Sequence, residues 1–174
     1  CNPMLQTARE MIRAGELGEI RGYRGIHCED YMADANGAFT FRHDPAGGGA
    51  LADIGSHALA TAEFLCGPVT KVMGDCVTMI AERPDGRGGR KAVTVDDVGR
   101  AFLRFENGAI GTVTLSDAAA GPWSWELTAG ENPAYPRTGE SCYFIAGTNG
   151  SLSVPRLEFW HHGEAGHWWT PIHA

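Results

Sequence analysis

The sequence predicts an α+β domain, with an open, largely antiparallel sheet and helices on one of its faces. The elements read in the order helix, strand, helix and then a series of strands. Two turn sequences separate pairs of these later strands, Asn107 with Gly108 and the four residues 147–150. Short turns of this kind join neighbouring antiparallel strands. We therefore expect residues 1–174 to form a single domain with one core.

The first helix has a clear start and end in the sequence. Asn2 is a good N-cap, Pro3 suits the first helical position, and Gly15 suits the position after the last turn. A strand is expected over residues 18–32, where hydrophobic and aromatic residues recur. A second helix is expected over residues 49–65, since Gly67 and Pro68 follow it as a stop signal.

The remaining two thirds of the chain read mainly as strands. The stretch 82–91 is basic and contains three glycines, and we interpret it as a solvated loop rather than a phosphate site. The predicted strands are 69–80, 98–106, 109–116, 142–146, 151–154 and 157–160.

Composition excludes several classes of function. The net charge of −7 and pI of about 5.4 argue against a surface for nucleic acids or anionic membranes. No apolar run approaches the roughly 20 residues of a membrane span, and no signal peptide is visible. The five cysteines form no CxxC pair, which favours a reduced, cytoplasmic protein. The ends of the sequence lead us to expect a fragment truncated on both sides.

The chemistry of the chain is concentrated in one segment, where three glycines at 47–49 precede Asp53 and His57. Four residues are about one helical turn, so the carboxylate and the imidazole can lie side by side. The partial positive charge of a helix N-terminus favours an ionised Asp53 and opposes a positive charge on His57. The ionised Asp53, by contrast, favours a positive charge on His57. These opposing influences suit a proton acceptor. Asp–His pairs at this spacing are also common on ordinary helix surfaces, which is the alternative interpretation.

A helical wheel separates three faces of the second helix. The predicted core face carries Leu51, Ile54, Ala58, Ala62 and Leu65. Asp53, His57, Ala60 and Phe64 share another face, and Ser56 and Glu63 mark a solvated one. Because Phe64 accompanies two polar side chains, we expect their face to form the wall of a cleft.

These residues also resemble the signature of a known family. The signature covers residues 42–45 (Arg-His-Asp-Pro), the three glycines, Leu51, Asp53, Gly55 and His57. It is similar to the C-terminal domain of the Gfo/Idh/MocA oxidoreductases, which follows a Rossmann domain and resembles the C-terminal domain of glyceraldehyde-3-phosphate dehydrogenase. The stretches 15–20 and 147–152 resemble further parts of that domain.

The resemblance implies hydride transfer between a sugar or polyol and NAD or NADP. His57 would take the hydroxyl proton, and Asp53 would hold the substrate hydroxyl and orient His57. The chain has no Gly-x-Gly-x-x-Gly after a strand and lacks the Glu-Lys-Pro lysine of the family, so most of the cofactor site would lie in a Rossmann domain absent from this chain. Ala60 stands where many members carry a second Asp.

Weaker candidates surround this motif. Asn36, Arg42 and Trp123 are predicted to bind substrate, and Gly48 and Gly49 are predicted to contact the cofactor where the backbone enters the helix. No metal is predicted, because the four histidines near the end of the chain match no standard ligand spacing.

Three other functions remain open. Some relatives use NAD to cleave glycosides through transient oxidation, and others could be non-catalytic sugar-sensing or assembly domains. A histidine-cluster metalloenzyme is a third.

Because Phe102, Leu103 and Phe105 place apolar residues on both faces of one strand, we also expect a homo-oligomer that covers the second sheet face.

Overall fold

The computed structural model describes residues 2–163, 166–167 and 169–174, and in that part of the chain an open seven-stranded sheet carries two longer helices. The helices are α1 (Pro3–Arg13), α2 (Ser56–Cys66) and the short α3 (Trp125–Ala129). The strands are β1 (Ile20–Cys28), β2 (Val69–Val77), β3 (Glu82–Pro84), β4 (Arg90–Ala92), β5 (Val98–Phe105), β6 (Ile110–Ser116), β7 (Tyr143–Gly147), β8 (Ser151–Val154) and β9 (Glu158–Trp160).

The strand order in the main sheet is β2-β5-β6-β1-β7-β8-β9. Every neighbouring pair is antiparallel except β1 and β6, which are parallel. The predicted α+β fold with a largely antiparallel sheet is therefore confirmed. The tight turn at Asn107 and Gly108 joins β5 to β6, and residues 147–150 join β7 to β8, as predicted.

The signals at the ends of α1 act as the sequence indicates. The Asn2 side chain accepts a hydrogen bond of 2.7 Å from the backbone N–H of Met4, and Pro3 opens the helix. Gly15 follows the last turn with a φ of +80°, a conformation that residues with a Cβ rarely adopt. These contacts are local, which is why the sequence alone located this helix.

The second helix differs from its prediction at its first turns. Residues Leu51–Gly55 form a π-helical turn, and the α-helix begins only at Ser56. The wider π turn changes the angle between successive side chains, so Leu51 leaves the core stripe and is 42% exposed. Ile54, Ala58, Ala62 and Leu65 remain buried as predicted.

Regular structure also forms in two stretches for which the sequence predicts no helix or strand. In the basic stretch, β3 and β4 pair as a small antiparallel hairpin, separate from the main sheet. In the stretch around Pro122 and Pro136, α3 begins at Ser124, whose side chain accepts a hydrogen bond from the Leu127 N–H. Both elements are too short to show a periodic pattern in the sequence.

The core lies between one face of the sheet and the helices. Tyr23, Leu103, Val113 and Ile145 point to this face from four strands, and the small residues Ala8, Ala58 and Ala62 let α1 and α2 approach closely. This packing confirms that the helices occupy one face. It also fixes α2 over β1, with the first turn of α2 near the carboxyl end of that strand.

The opposite sheet face is open in this chain. Phe102 is 60% exposed, and Met73 lies directly opposite it on β2. Ile110 is also exposed on the same face. Within the described residues, no helix is long and apolar enough to cross a membrane.

The cysteines that the structure describes are all unpaired. Cys66 and Cys142 are buried among core residues, and Cys28 and Cys76 lie at β1 and β2. Cys1 lies outside the described residues.

Candidate active site

The start of the segment that carries Asp53 and His57 is held in place by Asp96, which lies in the loop before β5. The Asp96 carboxylate accepts a hydrogen bond of 2.7 Å from the Leu51 N–H, and its backbone carbonyl accepts one from Ala50. These bonds satisfy two donors at the start of the π turn. The turn then delivers Asp53 and the first turn of α2 delivers His57, which is exposed at the protein surface.

Asp53 is bound by residues other than His57. Its Oδ2 accepts a hydrogen bond of 3.2 Å from the Tyr31 hydroxyl, and Arg42 Nη1 donates to the same oxygen and forms an ion pair with it. Arg42 is fixed by the single-turn helix Phe41–His43, in which the His43 ring accepts a hydrogen bond from the Thr40 N–H. The hydrogen bonds that the structure gives Asp53 thus orient it toward Arg42 and Tyr31.

A second histidine, His27, lies on β1 close to His57. It is 3% exposed, and its Nε2 shares a hydrogen bond of 2.5 Å with the Tyr143 hydroxyl. Burial, with a smaller contribution from His57, lowers the pKa of His27 to about 4, although Glu126 acts in the opposite direction. His27 is therefore neutral over the physiological pH range.

Two glutamates lie close to each other near His27. Glu29 follows β1, and Glu126 lies in the first turn of α3. The pKa of Glu29 is raised to about 7, and burial is the largest cause. A hydrogen bond with the Glu126 carboxyl also raises this pKa, by more than a hydrogen bond with the Ser124 hydroxyl lowers it. The Glu126 carboxyl therefore lies beside that of Glu29 and favours the protonated form of Glu29.

These side chains surround two cavities that meet at His57. We call the first the apolar cavity: its volume is about 510 Å³, and its lining includes Leu5, Ala60, Phe64, Trp125 and Tyr143. We call the second the polar cavity: its volume is about 350 Å³, and its lining includes Glu29, Tyr31, Arg42, Asp53 and Tyr135. His27, His57 and Glu126 line both cavities. The face of α2 predicted to form a cleft wall borders this space.

The structure brings together three of the seven predicted site residues. Arg42, Asp53 and His57 line the polar cavity. Asn36 lies in an exposed turn, where its N–H donates to the Asp34 carboxylate, and it lines neither cavity. Trp123 also lines neither; its carbonyl accepts a hydrogen bond from the Cys28 N–H.

The glycines before the motif have structural reasons within this chain. Gly48 and Gly49 both have positive φ angles. A Cβ on Gly48 would lie 2.5 Å from the Ala52 Cβ, and one on Gly49 would lie 2.7 Å from the Asp96 carbonyl oxygen. Close packing and backbone conformation therefore account for both glycines, and their contact with a cofactor stays a prediction.

Sequence reasoning missed most of the cavity lining. The largest omissions are His27, Glu29, Glu126 and Tyr143. His27 and Tyr143 are 116 residues apart, and only the register of β1 against β7 brings them together. One signal was available: His27 follows Tyr23 and Gly25 at alternate positions of β1, on the face turned toward the core, where an ionisable residue is unusual.

Comparisons with known proteins agree with this architecture. The family model for the GFO/IDH/MocA C-terminal domain matches residues 5–153. Levoglucosan dehydrogenase of Pseudarthrobacter phenanthrenivorans is 34% identical over an alignment of 134 residues, which covers 68% of this chain and 34% of that protein. A putative UDP-kanosamine synthase oxidoreductase subunit of Amycolatopsis mediterranei is 42% identical over an alignment of 103 residues, which covers 53% of this chain and 28% of that protein.

Solved structures share the same fold. The structure of levoglucosan dehydrogenase in complex with NADH and levoglucosan superposes with a TM-score of 0.75 at 29% identity, covering 98% of this chain and 43% of that one. An oxidoreductase domain protein from Kribbella flavida gives a TM-score of 0.71 at 30% identity, covering 87% and 36%. The chain spans about a third of the length of the curated relatives that it matches.

Proposed function

The chain belongs to the GFO/IDH/MocA family, and from that premise we propose that it is the substrate-binding domain of an NAD(P)-dependent oxidoreductase. The reaction would transfer a hydride between a sugar- or polyol-type alcohol and the nicotinamide. The observation that carries the proposal is the position of His57, exposed where a polar and an apolar cavity meet. Levoglucosan dehydrogenase, a relative of similar fold, has been crystallised with NADH and levoglucosan, which supports the same chemistry here.

The proton is handled by His57 in this proposal. Oxidation of an alcohol removes a proton from oxygen and a hydride from carbon, so a base must lie within hydrogen-bonding distance of the hydroxyl. His57 faces the cavity from the rigid first turn of α2, and an imidazole can accept and return a proton near neutral pH. In the reverse reaction, His57 would return the proton to the carbonyl oxygen.

Asp53 is proposed to position the substrate. Among the contacts of the described residues, Arg42 and Tyr31 both bind its Oδ2, and we propose that Oδ1 accepts a hydrogen bond from a substrate hydroxyl. A carboxylate held by a guanidinium and a phenol has little rotational freedom, so it can fix the hydroxyl beside His57. Arg42 contributes by orienting Asp53 from within the same cavity.

The residues of this chain fit only one part of the cofactor. The apolar cavity places Leu5, Phe64 and Trp125 beside His57, and such a wall suits a flat heteroaromatic ring. Close contacts with Ala52 and Asp96 explain why glycines stand at 48 and 49 without a bound pyrophosphate. Bound nicotinamide supplies the hydride acceptor, and we propose that the phosphates are held by residues outside this chain.

A homo-oligomer formed through the open sheet face is the second part of the proposal. Met73, Phe102 and Ile110 are exposed side by side on this face, with Arg100 and Asp75 paired across the same strands. A patch with exposed apolar groups and both signs of charge suits an isologous contact with a second copy. Light scattering on the full-length protein tests this: Phe102→Asp should give monomers, whereas Thr148→Asp, in the β7–β8 turn, should not.

The experiment that tests the reaction uses the full-length polypeptide that carries this chain. Purified protein is incubated with NAD⁺ or NADP⁺ and a panel of neutral sugars, anhydrosugars, polyols and glycosides, while absorbance of reduced cofactor and release of free sugar are followed. The proposal expects reduced cofactor in proportion to oxidised substrate. Free sugar without net reduced cofactor would instead support the glycosidase, and sugar binding without turnover would support the sensing domain.

A further inference from the structure

The polar cavity contains an acidic pair that the proposed proton transfer does not use. Glu29 and Glu126 both line this cavity, and among the described residues no hydrogen-bond donor reaches the buried Oε1 of Glu29. A buried carboxyl oxygen without a donor is costly, and a ligand hydroxyl is one group that can supply the missing hydrogen bond.

The charges around this pair are unbalanced. Among the described residues that line the polar cavity, Arg42 is the only arginine or lysine, and its guanidinium is paired with Asp53. His27 is neutral, as shown above. Three carboxyl groups, those of Glu29, Asp53 and Glu126, therefore line this cavity with one guanidinium. A carboxylate or phosphate entering it would meet no unpaired cation.

We propose that Glu29 and Glu126 determine the class of substrate, admitting neutral polyhydroxylated molecules and excluding those that carry a carboxylate or phosphate next to the reacting region. The glutamates accept hydrogen bonds from substrate hydroxyls, and the same oxygens repel an anion. This proposal rests on the proposed function, because it assigns the polar cavity to the substrate. Both glutamates act on binding and leave the proton transfer to His57.

The test compares sugars that differ only at C6. Glucose with glucuronate and galactose with galacturonate are matched pairs, each offering a CH₂OH group or a carboxylate. Dissociation constants are measured by calorimetry on the full-length protein with NAD(H) bound, and kcat/KM is measured wherever reduced cofactor forms. We expect the wild type to favour the neutral member of a pair by about tenfold or more, because like charges brought together in a cavity repel each other strongly.

Glu29→Gln, Glu126→Gln and the double variant keep the size of each side chain while they remove its charge. The double variant should lose at least about tenfold of the neutral-over-uronate preference, mainly through tighter uronate binding, because the two amides can donate to a carboxylate. Glu106→Gln, on the exposed β5–β6 turn, changes the net charge equally and should leave the ratio unchanged. Thermal unfolding of each variant verifies the fold, and Glu29→Gln alone provides the test if the double variant is unstable.

The two proposals fail in different ways. A protein that binds neutral sugars selectively and oxidises none of them would overturn the oxidoreductase and support the selection by Glu29 and Glu126. Equal kcat/KM for both members of a pair, or a ratio that the double variant leaves unchanged, would overturn the selection and retain the oxidoreductase. A protein that binds neither member of any pair would overturn both.

Discussion

The hydroxyl of Tyr143 lies 2.5 Å from Nε2 of His27, across the pairing of β7 with β1. Both side chains are buried, and the His27 ring borders both cavities. This hydrogen bond joins the floor of the candidate site to the centre of the sheet. A change in the protonation of His27 should therefore affect the stability of the fold as well as the site.

Acid should destabilise the protein partly through His27. The pKa of His27 is about 4 in the folded chain, compared with an ordinary value of 6.5, so the unfolded chain binds a proton in this range that the folded chain does not. The contribution of His27 to the unfolding free energy should fall as the pH decreases from 6.5 toward 4, by up to about 3 kcal/mol. Urea unfolding at several pH values measures this. His27→Gln should flatten the dependence, while the exposed His167→Gln should leave it as in the wild type.

The contribution of Glu29 to the unfolding free energy should change with pH in the direction opposite to that of His27. The pKa of Glu29 is raised from 4.5 to about 7 by burial and by Glu126, with a smaller contribution from Asp30. Between these values the folded chain keeps a proton that the unfolded chain has lost. The stabilisation is present below pH 4.5 and is lost as the pH rises through 7. Glu29→Gln should therefore stabilise the protein more at pH 8 than at pH 5, relative to wild type, in urea titrations. An equal effect at both pH values would contradict the raised pKa of Glu29.

Replacement of His57 by alanine should remove turnover and keep the fold. Loss of a general base typically reduces kcat by about 10²- to 10⁴-fold. Because His57 is exposed, the midpoint of thermal unfolding should stay close to that of the wild type. Steady-state rates of the full-length protein on its neutral substrate, with His173→Ala as the matched control, measure this. A variant that retains wild-type kcat would show that another group accepts the proton.

Replacement of Arg42 by alanine should affect substrate binding more than stability. The Arg42 and Asp53 side chains are 36% and 40% exposed, and ion pairs at such positions contribute less than about 1 kcal/mol. Without Arg42, Asp53 keeps only the hydrogen bond from Tyr31, so KM should rise by about tenfold. Arg21→Ala breaks the surface pair with Glu19 and serves as the control. If both variants leave KM unchanged, Asp53 does not depend on Arg42 for its position.

Gly49 and Gly88 should respond differently to alanine. Both have a positive φ, which costs a residue with a Cβ about 1 kcal/mol. Only at Gly49 would the new Cβ also contact backbone, 2.7 Å from the Asp96 carbonyl oxygen, whereas Gly88 faces open space. The unfolding free energy of Gly49→Ala should therefore fall by at least about 1 kcal/mol more than that of Gly88→Ala. Equal losses would mean that the 95–96 loop moves away at little cost.

The parts of the fold that local contacts determine could be predicted from the sequence. The start of α1 at Asn2 and the turn at Asn107 and Gly108 depend on residues a few positions apart, and both were located correctly. The π turn at Leu51–Gly55 was not predicted, since it depends on the Asp96 loop, 45 residues away from Leu51. Tertiary contacts there override the helical period.

The candidate site also contains residues that the sequence locates and residues that it does not. The placement of Asp53 and His57 on one side of a helix follows from their spacing, and Arg42 lies close in sequence as well. Glu126 and Tyr143 reach the cavities from α3 and β7, and the sequence contains no local pattern that pairs them with β1. Tyr31 and Arg42 lie 22 and 11 residues before Asp53, in a loop without a periodic pattern, so the sequence does not show that they bind its carboxylate.

The parallel pairing of β1 with β6 has a consequence for how the chain acquires its structure. β1 occupies the middle of the sheet, yet its two neighbours, β6 and β7, begin 90 and 123 residues after its first residue, at Ile110 and Tyr143. Closing such long segments is slow, because chain entropy is lost before any strand pairing compensates for it. A growing polypeptide will carry β1 without partners until these strands leave the ribosome. His27 and Glu29 reach their places in the cavities only at that late step of folding.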